Sequence, residues 1–185
     1  MKPVIKKNIA AISGSTRNNS TNYFLIKAIE ELSKEIFNIT IFEGIAALPH
    51  FNPDNNNENI APEVIAFRQL LTNADAIIIC TPEYAHGVPG TLKNAIDWTV
   101  STNEFSQKPT ALITASTDGK YAHGALLETL KVMEAKDVEQ NQLLIQFAKT
   151  KINGNQITDK KTLEEVVGLI LNLQKSIENT FHTDV

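Results

Sequence analysis

The stretch ISGSTRNNSTN, residues 12–22, sets the reading of the whole chain. It crowds Gly14, a run of Ser and Thr, three asparagines and the guanidinium of Arg17 into a gap between two apolar patterns. Before it, Ile9-Ala10-Ala11-Ile12 has the character of a short buried strand; after it, Leu25, Ala28, Ile29, Leu32 and Ile36 recur at helical spacing. The stretch is therefore a strand-to-helix loop. Such a loop aims the first backbone N–H groups of the helix, and its positive end, at one point that favours an anion, phosphate above all. Ser15, Thr16 and Ser20 offer hydroxyl donors there, Asn22 an amide donor and Arg17 a planar fork for phosphate oxygens. An ordinary helix N-cap needs one such residue. Taken alone, the loop leaves capping and phosphate binding both open.

Length and composition narrow the classes without naming a function. At 185 residues the chain suits one domain, expected to span 1–185, with a substantial core. A net charge of −4, with no Lys/Arg cluster to offset it, argues against nucleic acid as a partner. Cys80 is the single cysteine and so forms no internal disulfide. Residues 1–7 lack the apolar run of a signal peptide, and no stretch approaches the roughly 20 apolar residues of a membrane span. A cytoplasmic protein is expected, where the sequon Asn18-Asn19-Ser20 means nothing. Four scattered His and one Cys show no zinc-ligand spacing, so no metal is expected. Gly14 stands without the rest of a G-x-G-x-x-G fingerprint, which argues against a dinucleotide-binding Rossmann domain.

Along the chain, strands predicted at 9–13, 39–42, 74–80, 110–114 and 142–148 alternate with helices at 20–36, 61–72, 89–98, 124–135 and 158–179. Pro89 takes a tolerated first-turn position in the third helix, and Thr158 or Asp159 caps the last. The polar segment 43–59 carries no period of its own. Five apolar strands with helices between them imply a three-layer α/β unit, its parallel sheet covered on both faces. Ligands of such sheets sit beyond the carboxyl ends of the strands, where the strand order reverses. The loops after the first, third and fourth strands should meet there.

The third-strand loop, CTPEYAHGVPGTLKNAIDW at 80–98, is punctuated by Pro82, Gly87, Pro89 and Gly90, so its path is defined. Tyr84 places an amphipathic ring in it. The fourth-strand loop, TASTDGKYAHG at 114–124, adds small polar groups and Gly119. A phosphate site beside backbone amides and a flat ring suits a phosphorylated planar cofactor.

GSTRNNSTN at 14–22, followed by TPEYAHGVPGTLKNAIDW at 81–98, resembles the NADPH-dependent FMN reductase family, flavodoxin-like flavoproteins that include quinone, azo-dye and chromate reductases. The likeness runs from the first strand to the final helix. It implies a flavodoxin-like five-stranded sheet of order 2-1-3-4-5, bound FMN, and a homodimer or homotetramer. Ser15, Arg17, Ser20 and Asn22 match the family's FMN-phosphate loop; Pro82, Glu83 and Tyr84 match the segment along the isoalloxazine, where His86, a further cofactor-contact candidate, stands in place of the Asn or other small polar residue frequent there; Ser116 and Gly119 match the loop near the pyrimidine end. Asp118 departs from the small residues usual in that loop.

What the resemblance implies is ping-pong chemistry: NADPH or NADH delivers hydride to flavin N5, and the flavin passes electrons to a small-molecule acceptor, a quinone, azo dye, flavin or metal oxyanion. No side-chain nucleophile or acid is then required. The alternative is a flavodoxin-type electron carrier without NAD(P)H oxidation. His86 and His123 read as loop histidines, with solvation weighed against proton transfer to an acceptor. Cys80 reads as a small buried hydrophobe, and Trp98 as core or subunit interface.

Overall fold

The computed structural model describes residues 5–17, 19–55 and 60–181. Asn18 of the sequon and residues 56–59 of the polar segment lie outside the described residues. Five parallel strands, β1 (Lys7–Ser13), β2 (Phe37–Phe42), β3 (Ala76–Thr81), β4 (Thr110–Ala115) and β5 (Gln142–Ile145), form one sheet of order β2-β1-β3-β4-β5. This is the order expected from the resemblance. Around the sheet run α1 (Thr21–Ser33), α2 (Pro62–Asn73), α3 (Gly90–Asp97), α4 (Lys120–Val132) and α5 (Lys160–Phe181).

Alternate residues of the central strands enter two cores. Ile9, Ala11, Ile78, Cys80 and Ile113 pack with α1 and α5 on one face; Ala10, Ile12, Ile77, Ile79 and Leu112 pack with α2, α3 and α4 on the other. Both faces are thus dry, which is why these strands are continuous apolar runs and not alternating ones. β1 pairs with β2 on one side and β3 on the other, so the direction of winding reverses between β1 and β3. That reversal opens a crevice at the carboxyl ends.

Several boundaries differ from those the sequence predicts. Helix α1 ends at Ser33, three residues short, and Ile36 packs on the core from the turn into β2. Helix α4 starts at Lys120 and not at 124, and β5 stops at Ile145 and not at 148. A short antiparallel pair, β6 (Ile152–Asn153) and β7 (Gln156–Ile157), follows β5 and has no counterpart in the sequence reading. Pro89 is the N-cap of α3, just outside it, and Asp159 caps α5 by accepting from Thr162 N–H at 2.9 Å.

The described part of the polar segment is ordered against α3. Ile45 and Leu48 are buried, the Phe51 ring stands edge-on to Trp98 at 5.1 Å, and the Pro49 carbonyl accepts from Trp98 Nε1 at 2.8 Å. Trp98, 2% exposed, is a core residue. No helix among the described residues is long and apolar enough to cross a membrane.

Candidate functional site

The first loop leaves β1 through a close approach. Gly14 N–H donates to Cys80 O at 2.8 Å, and a Cβ on Gly14 would lie 2.4 Å from Thr81 Oγ1, so only glycine passes between the ends of β1 and β3. Ser15 Oγ then accepts from Arg17 N–H at 3.4 Å, and Ser20 Oγ accepts from Asn22 N–H at 3.2 Å as the N-cap of α1. Each hydroxyl keeps its own proton to donate. The first turn of α1 carries no acidic residue, and Thr16, Arg17 and Asn19 are exposed. The loop therefore caps the helix and still leaves the Ser15 and Ser20 hydroxyl protons over.

Asn22 is committed inside the protein. Its amide donates to Ala115 O at 3.2 Å and its carbonyl accepts from the Cys80 thiol at 3.3 Å, tying the first turn of α1 to the ends of β3 and β4. Cys80 is fully buried, as its sequence setting suggests, and burial pushes its thiol pKa up.

After β3 and the buried Pro82, Tyr84 and Gly87 close a two-residue hairpin with reciprocal bonds of 3.0 and 2.9 Å. Ala85 and His86 occupy its tip at φ values of 48° and 59°, the left-handed region a tight hairpin demands. The tip holds Tyr84 half exposed and lays the His86 ring on Tyr121, with centroids 4.3 Å apart. Glu83 points elsewhere. Its carboxylate accepts from Gly119, Tyr121 and Ala122 N–H at 3.3, 2.9 and 2.8 Å, capping α4, while its own N–H donates to Ser116 Oγ at 3.2 Å. Gly119, at φ 89°, turns the chain into that helix; a Cβ there would meet Leu144 at 2.9 Å.

The loop after β5 completes the wall. Ala148 N–H donates to Ser116 O and Phe147 N–H to Thr117 O, both at 3.1 Å. Asp118 Oδ1 accepts from Gln146 Nε2 at 2.9 Å, so the acidic departure in the fourth-strand loop is used between loops.

A cavity of about 420 Å³ lies where these loops converge, within the size range of small-molecule sites. Ser15, Arg17, Ser20, Asn22, Pro82, Glu83, Tyr84 and Ser116 all line it. His86 and Gly119 are not among its lining residues: one sits at the hairpin tip, the other at the head of α4. Phe147, Lys149 and Thr150 line it too; sequence reasoning missed Phe147 by running the fifth strand to 148 and gave Lys149 and Thr150, just past it, no role. The signal available was Gln146, a polar residue inside a run that a buried strand should keep apolar. On the far side of the first loop a cavity of about 380 Å³ shares Ser15 and Arg17 and is bounded by Phe42 and Glu43.

His123 is not a loop residue. It stands in α4 with Nδ1 2.9 Å from Thr114 Oγ1 and Nε2 2.9 Å from Gln142 Oε1, off the cavity lining, and burial lowers its pKa.

Residues 7–150 match the family model of NADPH-dependent FMN reductases. The chain is 30% identical over 173 residues to an NAD(P)H-dependent FMN reductase of Pseudomonas aeruginosa, a match covering 90% of this chain and 92% of that protein. It is 39% identical over 128 residues to an NADPH:quinone oxidoreductase of Arabidopsis thaliana, covering 67% of this chain and 63%, less than two thirds, of the plant protein. Among solved structures, the flavoenzyme NAD(P)H:(acceptor) oxidoreductase of Paracoccus denitrificans matches with a TM-score of 0.77 at 26% identity, over 94% of this chain and 98% of that one.

Proposed function

The chain belongs to the NADPH-dependent FMN reductase family, and from that premise we propose how its own residues serve an FMN-dependent NAD(P)H oxidoreductase. One observation carries the reading: the exposed Arg17, the capped start of α1 and the Tyr84 hairpin converge on one 420 Å³ cavity at the sheet's switch point. The donor set fits FMN. A guanidinium, two hydroxyls with free protons and a helix N-terminus without acid suit a phosphate monoester, and the one acidic lining residue, Glu83, has its charge taken up by three N–H groups.

FMN held there would supply hydride and electron transfer between NADPH or NADH and a second substrate. The protein holds and orients. Arg17, Ser15 and Ser20 hold the phosphate; Asn22 fixes the start of α1 to β3 and β4, so that these donors stay aimed. Pro82, Glu83 and Tyr84 present the segment along the ring. The N–H groups of Glu83 and Tyr84 already bond Ser116 Oγ and Gly87 O, whereas the Ser116 hydroxyl keeps its proton and remains a donor on the lining. His86 and Gly119 act through the loops they shape. His123 lies off the cavity lining with both ring nitrogens bonded within the fold, and it is assigned no part in proton transfer.

The acceptors are small molecules, quinones and flavins foremost, with azo dyes and metal oxyanions in the same class. The reading also takes residues 1–185 as a single cytoplasmic flavodoxin-like domain that assembles as a homodimer or homotetramer, an assembly that light scattering checks. The deciding experiment is the visible spectrum of the purified protein, followed by anaerobic NADPH. Flavin bands that bleach on addition are expected. Bound flavin that stays oxidised would favour the electron carrier, and a colourless protein that takes up no FMN would overturn the assignment.

A further inference from the structure

The loop after β5 holds a residue that the roles above leave unused. Phe147 has φ 53°, left-handed backbone that a bulky side chain adopts at a cost. The residue is 61% exposed, so burial returns little of that cost. The conformation is held by its surroundings: Phe147 N–H donates to Thr117 O at 3.1 Å, and Phe147 O accepts from Thr150 N–H at 2.9 Å and Thr150 Oγ1 at 2.8 Å. The next N–H, of Ala148, is fixed to Ser116 O. Gln107, Glu134 and Asp137 share this φ away from the cavity; what marks Phe147 is an exposed ring, which the core does not need, held on the cavity wall. Phe147 lines the same cavity as Tyr84, itself half exposed. In the sheet order β3-β4-β5 their loops flank the Ser116–Thr117 loop from either side.

We infer that Phe147 forms an aromatic wall of this cavity and that its ring lies against a flat conjugated ring of the bound ligand. The inference rests on the reading of the cavity as an FMN and acceptor site. Two rings there share the required chemistry, the isoalloxazine of FMN and a planar acceptor. Tyr84 supplies a first aromatic surface from the β3 loop; Phe147 supplies a second from the β5 loop. The hydrogen bonds at its N–H and carbonyl fix the backbone that carries the ring before any ligand arrives, which lowers the ordering cost on binding.

Three variants separate ring from backbone: Phe147→Ala removes the ring and keeps the left-handed residue, Phe147→Gly removes both, and Phe147→Tyr keeps both. The measurements are the Kd for FMN by fluorescence quenching, the KM for 1,4-benzoquinone at saturating FMN and NADPH, and the Tm of each FMN-free protein. Loss of one aromatic contact is expected to weaken one of the two constants by about two- to tenfold in both F147A and F147G, with F147Y near wild type. F147G is expected to melt a few degrees above F147A, because glycine adopts this φ without penalty. A shift in the FMN Kd assigns the wall to the cofactor's ring; a shift in the quinone KM alone assigns it to the acceptor. Unchanged Kd and KM in both truncations, with wild type binding FMN, would overturn the inference alone. A wild-type protein that binds no FMN would overturn the functional reading and this wall with it.

Discussion

Arg17 and Asn22 stand five residues apart in one loop and were indistinguishable as phosphate donors in the sequence, yet the fold uses them differently. Asn22 is buried with both ends of its amide bonded inside the protein, whereas the Arg17 guanidinium is exposed beside the cavity. No sequence pattern separates them, because what decides is whether Cys80 and Ala115 come within reach of the first turn of α1. Arg17→Ala is therefore expected to weaken FMN binding by about 10- to 100-fold, the loss of a hydrogen bond to a charged group, while stability stays within about 0.5 kcal/mol. A fluorescence titration checks it, and an unchanged Kd would take Arg17 out of the phosphate site. His123 gives a second test at this scale. Burial holds its pKa below the ordinary 6.5, so the unfolded chain binds the proton more readily than the folded one. The stability due to a neutral ring is complete above pH 6.5 and is lost as pH falls through the lower folded value. Urea unfolding at pH 7.5 and pH 5 should show that loss in the wild type and a smaller one in His123→Asn; equal losses would mean other groups set the acid limb.

At the scale of elements, the strands and helices were legible wherever apolar period and local caps agreed, as at β1, α1 and the Asp159 cap of α5. They were misread where a boundary is set from a distance. Helix α4 begins at Lys120 because Glu83, three dozen residues upstream, accepts its first N–H groups; Gly119 has no capping side chain of its own. Between 114 and 124 the sign of it is slight, the apolar Ala122 in step with Leu126 and Leu130. Likewise β5 ends at Ile145 because the next loop bonds to Ser116 and Thr117 of the neighbouring strand end, contacts between residues some 30 positions apart. Gly87 suggests a turn glycine, but the two left-handed positions fall on Ala85 and His86, a violation of local preference that the two-residue hairpin imposes. The distant cap is testable. Glu83→Ala is expected to cost about 1–2 kcal/mol, in line with other N-cap losses, and to speed amide exchange at Tyr121 and Ala122 ahead of the rest of α4. Glu83→Gln, which keeps an acceptor, should lose less. Exchange rates unchanged in Glu83→Ala would show that α4 holds its first turn without the clasp.

For the whole molecule, parallel strands buried on both faces followed from the apolar runs, whereas the order of the strands came from the family resemblance, since any of several orders would bury the same residues. That order places Cys80 at a junction: on β3, fully buried between β1 and β4, with its thiol bonded to Asn22 at the start of α1. Burial pushes its pKa up, so the thiolate that reacts with alkylating or disulfide reagents is scarce in the native state, and labelling must wait for opening. If opening at Cys80 dismantles the α1–β3 tie, it also dismantles the phosphate site, and FMN must suppress it by mass action. With FMN at about 100 times its Kd, labelling by Ellman's reagent should slow about 100-fold, equivalent to about 2.7 kcal/mol of added stability. Labelling at one rate with and without FMN would mean that Cys80 is reached by a local opening which leaves the cavity whole, and that the junction of α1, β3 and β4 is not one cooperative unit with the site it supports.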